Sequence, residues 1–391
     1  MREIYFDNSA TTALSEAAKD AMRQAMEVFG NPSSLHARGN AAKELLEDAR
    51  RRVGNTLGVR HAAPEELVFT SCGTEADQLA IFGTAYAKER RRGGVIVTTD
   101  SEHPAVENAM RRLEGQGFTV VRIPTRGGVL NFAEFEKALA KKPFLVSMMA
   151  VNNETGARYD VGRAFALAKE QNPDTVTHTD AVQAYLKGEL NARRWMVDLV
   201  SVSAHKIHGP KGVGALLISP EARKRRDLIP VMPGGGQESG MRSGTENIVG
   251  IAGFAAAAEE EFSRLASNVE KMQTLSAKVE QLLGSLPVRI NKPAGARAPH
   301  IVSITLPGVR SETMLHALSA RGIYLSNGSA CSSHSAKPSG SLLAFGLSPA
   351  EAETTVRVSF SAENTEEEVE IFAAALSEEL NRLVRVKNFR A

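Results

Sequence analysis

The stretch Ser201–Ser219, SVSAHKIHGPKGVGALLIS, sets two apolar, strand-like runs around a Gly-Pro turn that carries Lys206 between His205 and His208. A lysine in a turn is ordinarily a solvated surface group. Here an apolar run precedes it, and cationic or desolvating neighbours at the ligand-binding edge of a sheet lower an amine's pKa, as Schiff-base chemistry requires. The wider pattern decides between the two readings.

From about residue 65 to 220, β-rich runs (ELVFT, GVIVTT, FTVVRIP, FLVSMMAV, TVTHT, DLVSVS and VGALLIS) alternate with helical patterns. This alternation predicts βα units and an α/β fold with a mostly parallel central sheet flanked by helices. Open sheets of this kind take their ligands outside the carboxyl ends of the strands. Each run ends near polar residues: Ser71 to Thr74, His103, Asn153, Asp180 with Gln183, and Ser203 to Lys206. These positions, scattered in sequence, are expected to converge.

Asp180 directly follows the run TVTHT. It reads either as a helix N-cap or as a buried carboxylate that keeps the ring nitrogen of pyridoxal 5'-phosphate (PLP) protonated and makes the ring an electron sink. Gly73 and Thr74 stand where a strand turns into a helix in LVFTSCGTEADQLAIFG, and a helix start suits a phosphate. The Walker lysine pattern is missing, which favours a single cofactor phosphate over a nucleoside triphosphate. Cys72, in the same turn, reads as structural. His103, before a Pro-started helix, is a cap or a ring that stacks on a planar cofactor and moves protons. Asn153, in MAVNNETG, is a turn residue or a hydrogen-bonding group of the same layer. The most glycine-dense run, PGGGQESGMRSGTEN, is either a surface loop or a rigid one that approaches a ligand or a partner subunit, with Thr245 donating to phosphate.

At 391 residues the chain is too long for one ordinary core. A large unit over 15–257 is expected, with residues 1–14 and 258–391 forming a smaller α+β domain. Apolar residues spaced by three and four between 258 and 284 predict one long connecting amphipathic helix, and Thr365 with Glu368 a capping box for a later one. A formal net charge of +2 and 24% charged residues, with no polybasic tail, imply no nucleic acid. No leader and no spanning apolar run is evident, so a cytoplasmic protein without a membrane partner is expected. The two cysteines, Cys72 and Cys331, cannot frame disulfides or a four-thiolate metal site. Cys331 lies in SNGSACSSHSAKPSG, a run with almost nothing apolar to pack against.

The ordered motifs DNSATT (7–12), GNPSSLH (30–36), FTSCGTEADQLAI (69–81), SEH (101–103), VNNETG (151–156), HTDAVQ (178–183), SAHKIHGPKGVGAL (203–216), GGGQESGMRSGTEN (234–247), SNGSACSS (326–333) and VRVSF (356–360) cover nearly the whole chain. Together they resemble the PLP-dependent cysteine desulfurases of the NifS and IscS type, in the class V aminotransferase group with PLP fold type I. The resemblance implies a homodimer that converts L-cysteine to L-alanine and passes sulfur to an acceptor or scaffold protein, for iron–sulfur clusters or thiolation. It implies that Lys206 is the Schiff-base lysine and general base, Asp180 the ring-nitrogen partner and Gln183 the donor to the phenolic oxygen, with His103 stacked over the ring. Thr74, Ser203, His205 and, from the partner subunit, Thr245 would hold the phosphate. Asn153 and Arg357 would bind the substrate carboxylate, and Cys331 would accept the sulfur. GGGQES departs from the GGGQER or GGGHER of relatives and removes a basic residue. Selenocysteine lysis or transamination would use the same Lys206 and Asp180, whereas a transaminase needs no cysteine in GSACSS. A catalytically idle scaffold would not need the intact set of Lys206, Asp180, His103 and Arg357.

Overall fold

The computed structural model describes residues 3–59, 62–87, 94–327 and 338–389. After a short first strand β1 (Ile4–Tyr5) come β2 (Leu67–Thr70), β3 (Val95–Thr99), β4 (Thr119–Ile123), β5 (Leu145–Ser147), β6 (Val176–Asp180), β7 (Leu199–Ser203) and β8 (Gly214–Ile218). The last seven form one sheet in the order β2-β8-β7-β6-β5-β3-β4. From β4 through β7 neighbouring strands run parallel, and the helices that connect them cover the sheet, as the alternation predicts. Every residue of β6 and β7 is buried, and His178 inside β6 is paired, its Nδ1 with Ser147 Oγ (2.8 Å) and its Nε2 with Ser201 Oγ of β7 (2.9 Å). The connection after β7 holds Lys206 and is too short for a crossover, so β8 returns antiparallel to β7 and continues antiparallel beside β2.

A second sheet contains β9 (Arg289–Ile290), β10 (Ile301–Thr305), β12 (Ser326–Asn327) and β13 (Thr355–Ser359), all antiparallel, in the order β12-β13-β10-β9. The run GIYLS is split at Leu325: β11 (Ile323–Tyr324) pairs with β1, whereas β12 joins β13. Residues from both chain ends share one core here. Phe6 meets Phe360 and Phe372 edge-on, with ring centroids 5.4 and 5.8 Å away. Thr365 and Glu368 form the expected capping box, the Thr365 N–H donating to Glu368 Oε2 (3.1 Å) and the Glu368 N–H to Thr365 Oγ1 (3.2 Å).

One expectation fails. Residues 258–284 are not a single helix: Ile248–Ser263 ends and Leu265–Leu283 begins at Arg264, whose φ −110°, ψ 10° lies outside the helical region. The first helix carries a buried alanine-rich run, and the second buries Met272, Leu275 and Val279. Both halves present apolar stripes, so the period runs through the break without recording the change of direction.

The glycine-dense loop is tied to the sheet. Glu238 accepts from Arg50 Nη1 (2.7 Å) and Nη2 (2.9 Å) and from the Phe69 N–H (2.8 Å), and both members of this bidentate pair are buried. Glu238 and Ser239 sit at φ +50° and +55°, a left-handed conformation that costs non-glycine residues about 1–2 kcal/mol each. The buried pair holds that strained turn in place.

Candidate functional site

A single cavity opens at the carboxyl ends of β2, β3, β5, β6 and β7. It is lined by Gly73, Thr74, His103, Asn153, Asp180, Gln183, Ser203, His205, Lys206 and Arg357. Ten of the twelve residues singled out from sequence therefore meet. Thr245 is exposed and does not line this cavity, and Cys331 lies outside the described residues.

Lys206 follows β7 in a single helical turn, and its Nζ donates to the carbonyls of Ser9 (2.5 Å) and Ala10 (2.7 Å). The segment 7–12 is thereby a strap across the cavity. It is secured further by the Ser9 N–H to Ser359 Oγ (2.9 Å) and the Thr12 N–H to the His205 carbonyl (2.9 Å). Arg357, on β13, is buried; its Nη1 donates to the Asn153 carbonyl (2.8 Å) and its Nη2 to Asp7 Oδ1 (2.7 Å).

Asp180 ends β6 and accepts from the Val182 N–H (2.9 Å). Burial raises its pKa to about 6, against the pull of that N–H and of the Lys206 charge. Asp77, one helical turn beyond Gly73, is pushed well above the usual carboxyl range by burial and by the charge of Asp180. His178 lies 3.6 Å from Asp77 but is buried, which drags its pKa to about 3; the two are not an ion pair at neutral pH.

His103 caps the helix Pro104–Gly115 by accepting the Ala105 N–H at Nδ1 (3.1 Å), which leaves its proton on Nε2. Burial, then the Lys206 charge, lowers its pKa to about 4, so the ring is neutral. Burial pushes Glu102, which accepts from Thr99 Oγ1 (2.6 Å) and the Met149 N–H (3.0 Å), up to about 8. The folded protein then binds a proton that the unfolded chain, with an ordinary value near 4.3, releases, so this carboxyl makes stability fall as pH rises between about 5 and 8. Glu102→Gln removes that contribution: its denaturation midpoint should decline less than that of the wild type from pH 5 to pH 8, and a parallel decline would mean that Glu102 is ionised.

Sequence reasoning passed over Asp77, Glu102, His178 and the carbonyls of the strap. Asp77 alone carried a usable signal, its spacing of four from Gly73 placing it on the same helix face. Among the described residues, no group of His, Cys, Asp and Glu could hold a metal ion.

With this geometry in place, the chain can be compared with known proteins. Residues 4–372 match the aminotransferase class-V family model. The chain belongs to the class V aminotransferase family. Within the family it is 40% identical over 382 residues to a NifS/IcsS protein homolog of Lactobacillus delbrueckii subsp. bulgaricus, covering 96% of each chain. It is 37% identical over 394 residues to a cysteine desulfurase of Trichormus azollae, covering 100% of this chain and 96% of the relative. A solved NifS-like protein superposes with a TM-score of 0.90 at 36% identity, covering 97% of this chain and all of the other.

Class V aminotransferases are PLP-dependent, and the cavity fits that cofactor. The Oγ atoms of Ser9 and Ser203 and the Asn153 Oδ1 are buried without a hydrogen-bond partner among the described residues, and all three residues line the cavity. At Gly73 a Cβ would lie 2.7 Å from Val182 Cγ2 and 3.4 Å from Ser203 Cβ, so glycine keeps the cradle at the helix start open. Gly73, Thr74, Ser203 and His205 could hold a phosphate there, opposite the Asp180 carboxylate and the Lys206 amine. Among the described residues no helix is long and apolar enough to cross a membrane.

Proposed function

We propose that this chain is a cytoplasmic, homodimeric cysteine desulfurase that converts L-cysteine to L-alanine and collects the sulfur on Cys331 as a persulfide for an acceptor protein. One observation carries this reading: the chain on both sides of residues 328–337 is anchored beside the cavity that holds Lys206. On one side, Ser326 and Asn327 pair with Arg357 and Val356. On the other, Ser339 Oγ donates to Glu154 Oε2 (2.5 Å), next to Asn153, and Ser341 Oγ donates to the Ser101 carbonyl (3.1 Å). The relative from Trichormus azollae bears the name of this activity.

In this reading Arg357 and Asn153 receive the substrate carboxylate, a task suited to Arg's planar fork. Thr74, Ser203, His205 and the partner subunit's Thr245 bind the phosphate, Asp180 faces the ring nitrogen, and Gln183 the phenolic oxygen. Bound PLP supplies an electron sink for the pair left at the substrate Cα. Lys206 removes the Cα proton, and the Nε2–H of neutral His103 is placed to pass a proton. The Cys331 thiolate then attacks the substrate sulfur. A sulfur–sulfur bond forms as the Cβ–S bond breaks, its electron pair stays with carbon, and protonation gives alanine. The sum is L-cysteine plus thiol to L-alanine plus persulfide, with no external oxidant. Residues 15–257 would carry the cofactor, and residues 1–14 with 258–391 would bring Arg357 and Cys331 to it. Large exposed side chains at Met26, Phe29 and Leu35, 60%, 76% and 97% accessible, support burial against a second copy.

Mass spectrometry of the PLP-loaded protein after adding L-cysteine should find one extra sulfur on Cys331 together with alanine. Alanine without modification of Cys331 would assign the sulfur another acceptor, and neither product would overturn the activity.

A further inference from the structure

We propose that His300 is a positioning residue that fixes the amide of Gln183, and through it the donor offered to the cofactor. His300 directly precedes β10 and is fully buried. Gln183 Nε2 lies 2.9 Å from the Ser9 carbonyl, and His300 Nε2 lies 3.3 Å from Gln183 Oε1. A carbonyl oxygen only accepts, so the amide NH₂ must face Ser9 and its oxygen must face the histidine. That oxygen also only accepts, so His300 must carry its proton on Nε2.

The ring holds no second proton. Burial and the charges of Lys187, Arg357 and Lys206 all press its pKa well below the ordinary value. Nδ1 is accordingly a buried acceptor without a partner among the described residues. The Ser9 carbonyl that takes the Gln183 N–H also takes Lys206 Nζ, so Gln183 and Lys206 meet at one backbone atom, with His300 one hydrogen bond behind Gln183. A flipped amide would set its oxygen against the Ser9 carbonyl and offer lone pairs where the second N–H now stands free for an acceptor. Without a donor at position 300, nothing on that side holds the amide in its working orientation.

This role rests on the reading that Gln183 faces the phenolic oxygen of PLP, and the test separates the two. The readout is the pH titration of the cofactor's visible absorbance in the loaded enzyme. A donor to the phenolic oxygen stabilises its ionised form, so losing that donor should move the midpoint upward by about one unit. His300→Leu should give this shift, Gln183→Leu a shift of the same size, and the double variant no further change. His300→Gln keeps an N–H at similar reach and should titrate as wild type. A shifted Gln183→Leu with an unshifted His300→Leu overturns the role of His300, as does a His300→Gln shifted as far as His300→Leu. No shift in any variant overturns the Gln183 reading instead. The ¹⁵N shifts of His300 in the unsubstituted protein check the tautomer directly, and a proton on Nδ1 would also overturn the proposal.

Discussion

Lys206→Ala should lower turnover of L-cysteine by about 1,000-fold or more, because in the proposed mechanism one side chain both links to the cofactor and takes the Cα proton. The visible absorbance of the lysine-linked cofactor should vanish with it. Binding should not: Gly73, Thr74, Ser203 and His205 line the cavity as well, and in the proposed mechanism they hold the phosphate without the amine, so added PLP should still be retained. Lys206 Nζ donates to the Ser9 and Ala10 carbonyls, and each such contact contributes about 1 kcal/mol. A modest drop in the melting midpoint is therefore expected, well short of unfolding. A folded, PLP-binding variant that turns over near the wild-type rate would remove Lys206 from the chemistry.

Cys331→Ala should cut alanine formation and sulfide release under turnover on the order of 100-fold, because no nucleophile then takes the substrate sulfur. The cofactor spectrum should still respond to L-cysteine, since Lys206, Asp180 and Arg357 are untouched. The two variants thus fail at different points: the first loses the lysine link, and the second accepts substrate but cannot pass its sulfur on. Wild-type release from Cys331→Ala would transfer the acceptor role elsewhere. Cys72, which lines the cavity, is the next thiol to replace.

The central sheet and most of the site were legible because β-rich runs alternate with helical patterns, and Asp180, Ser203 and Lys206 stand at or just past the ends of β6 and β7. The resemblance drew in Arg357, which composition and spacing left unmarked. What stayed hidden depends on contacts between distant segments. Arg50 and Glu238 are 188 residues apart, and neither has a local pattern that announces a buried pair. The bend at Arg264 leaves the apolar period intact. The elevated pKa of Asp77 follows from its burial and from Asp180 on another element, and the tautomer of His300 follows from Gln183. Sequence marks the kind of side chain at a position, whereas protonation is set by whatever folds against it.

The strap at residues 7–12 has a consequence for the order in which the protein is made. Its anchors are Ser359 and, through Asp7, Arg357, and β1 just before it pairs with β11 at residues 323–324. A ribosome releases the strap first, its partners Gln183, His205 and Lys206 midway, and Ser359 and Arg357 near the end, so the opening residues gain their last anchors only when the rest of the chain has been made. The β6 to β8 region can pair earlier, with Lys206 already in its turn, yet Asp7 and Ser9 gain Arg357 and Ser359 only once β13 has been synthesised. Completion of the cavity is then a late step in biosynthesis, and a truncated or stalled chain would hold Lys206 without the Arg357 side of the pocket.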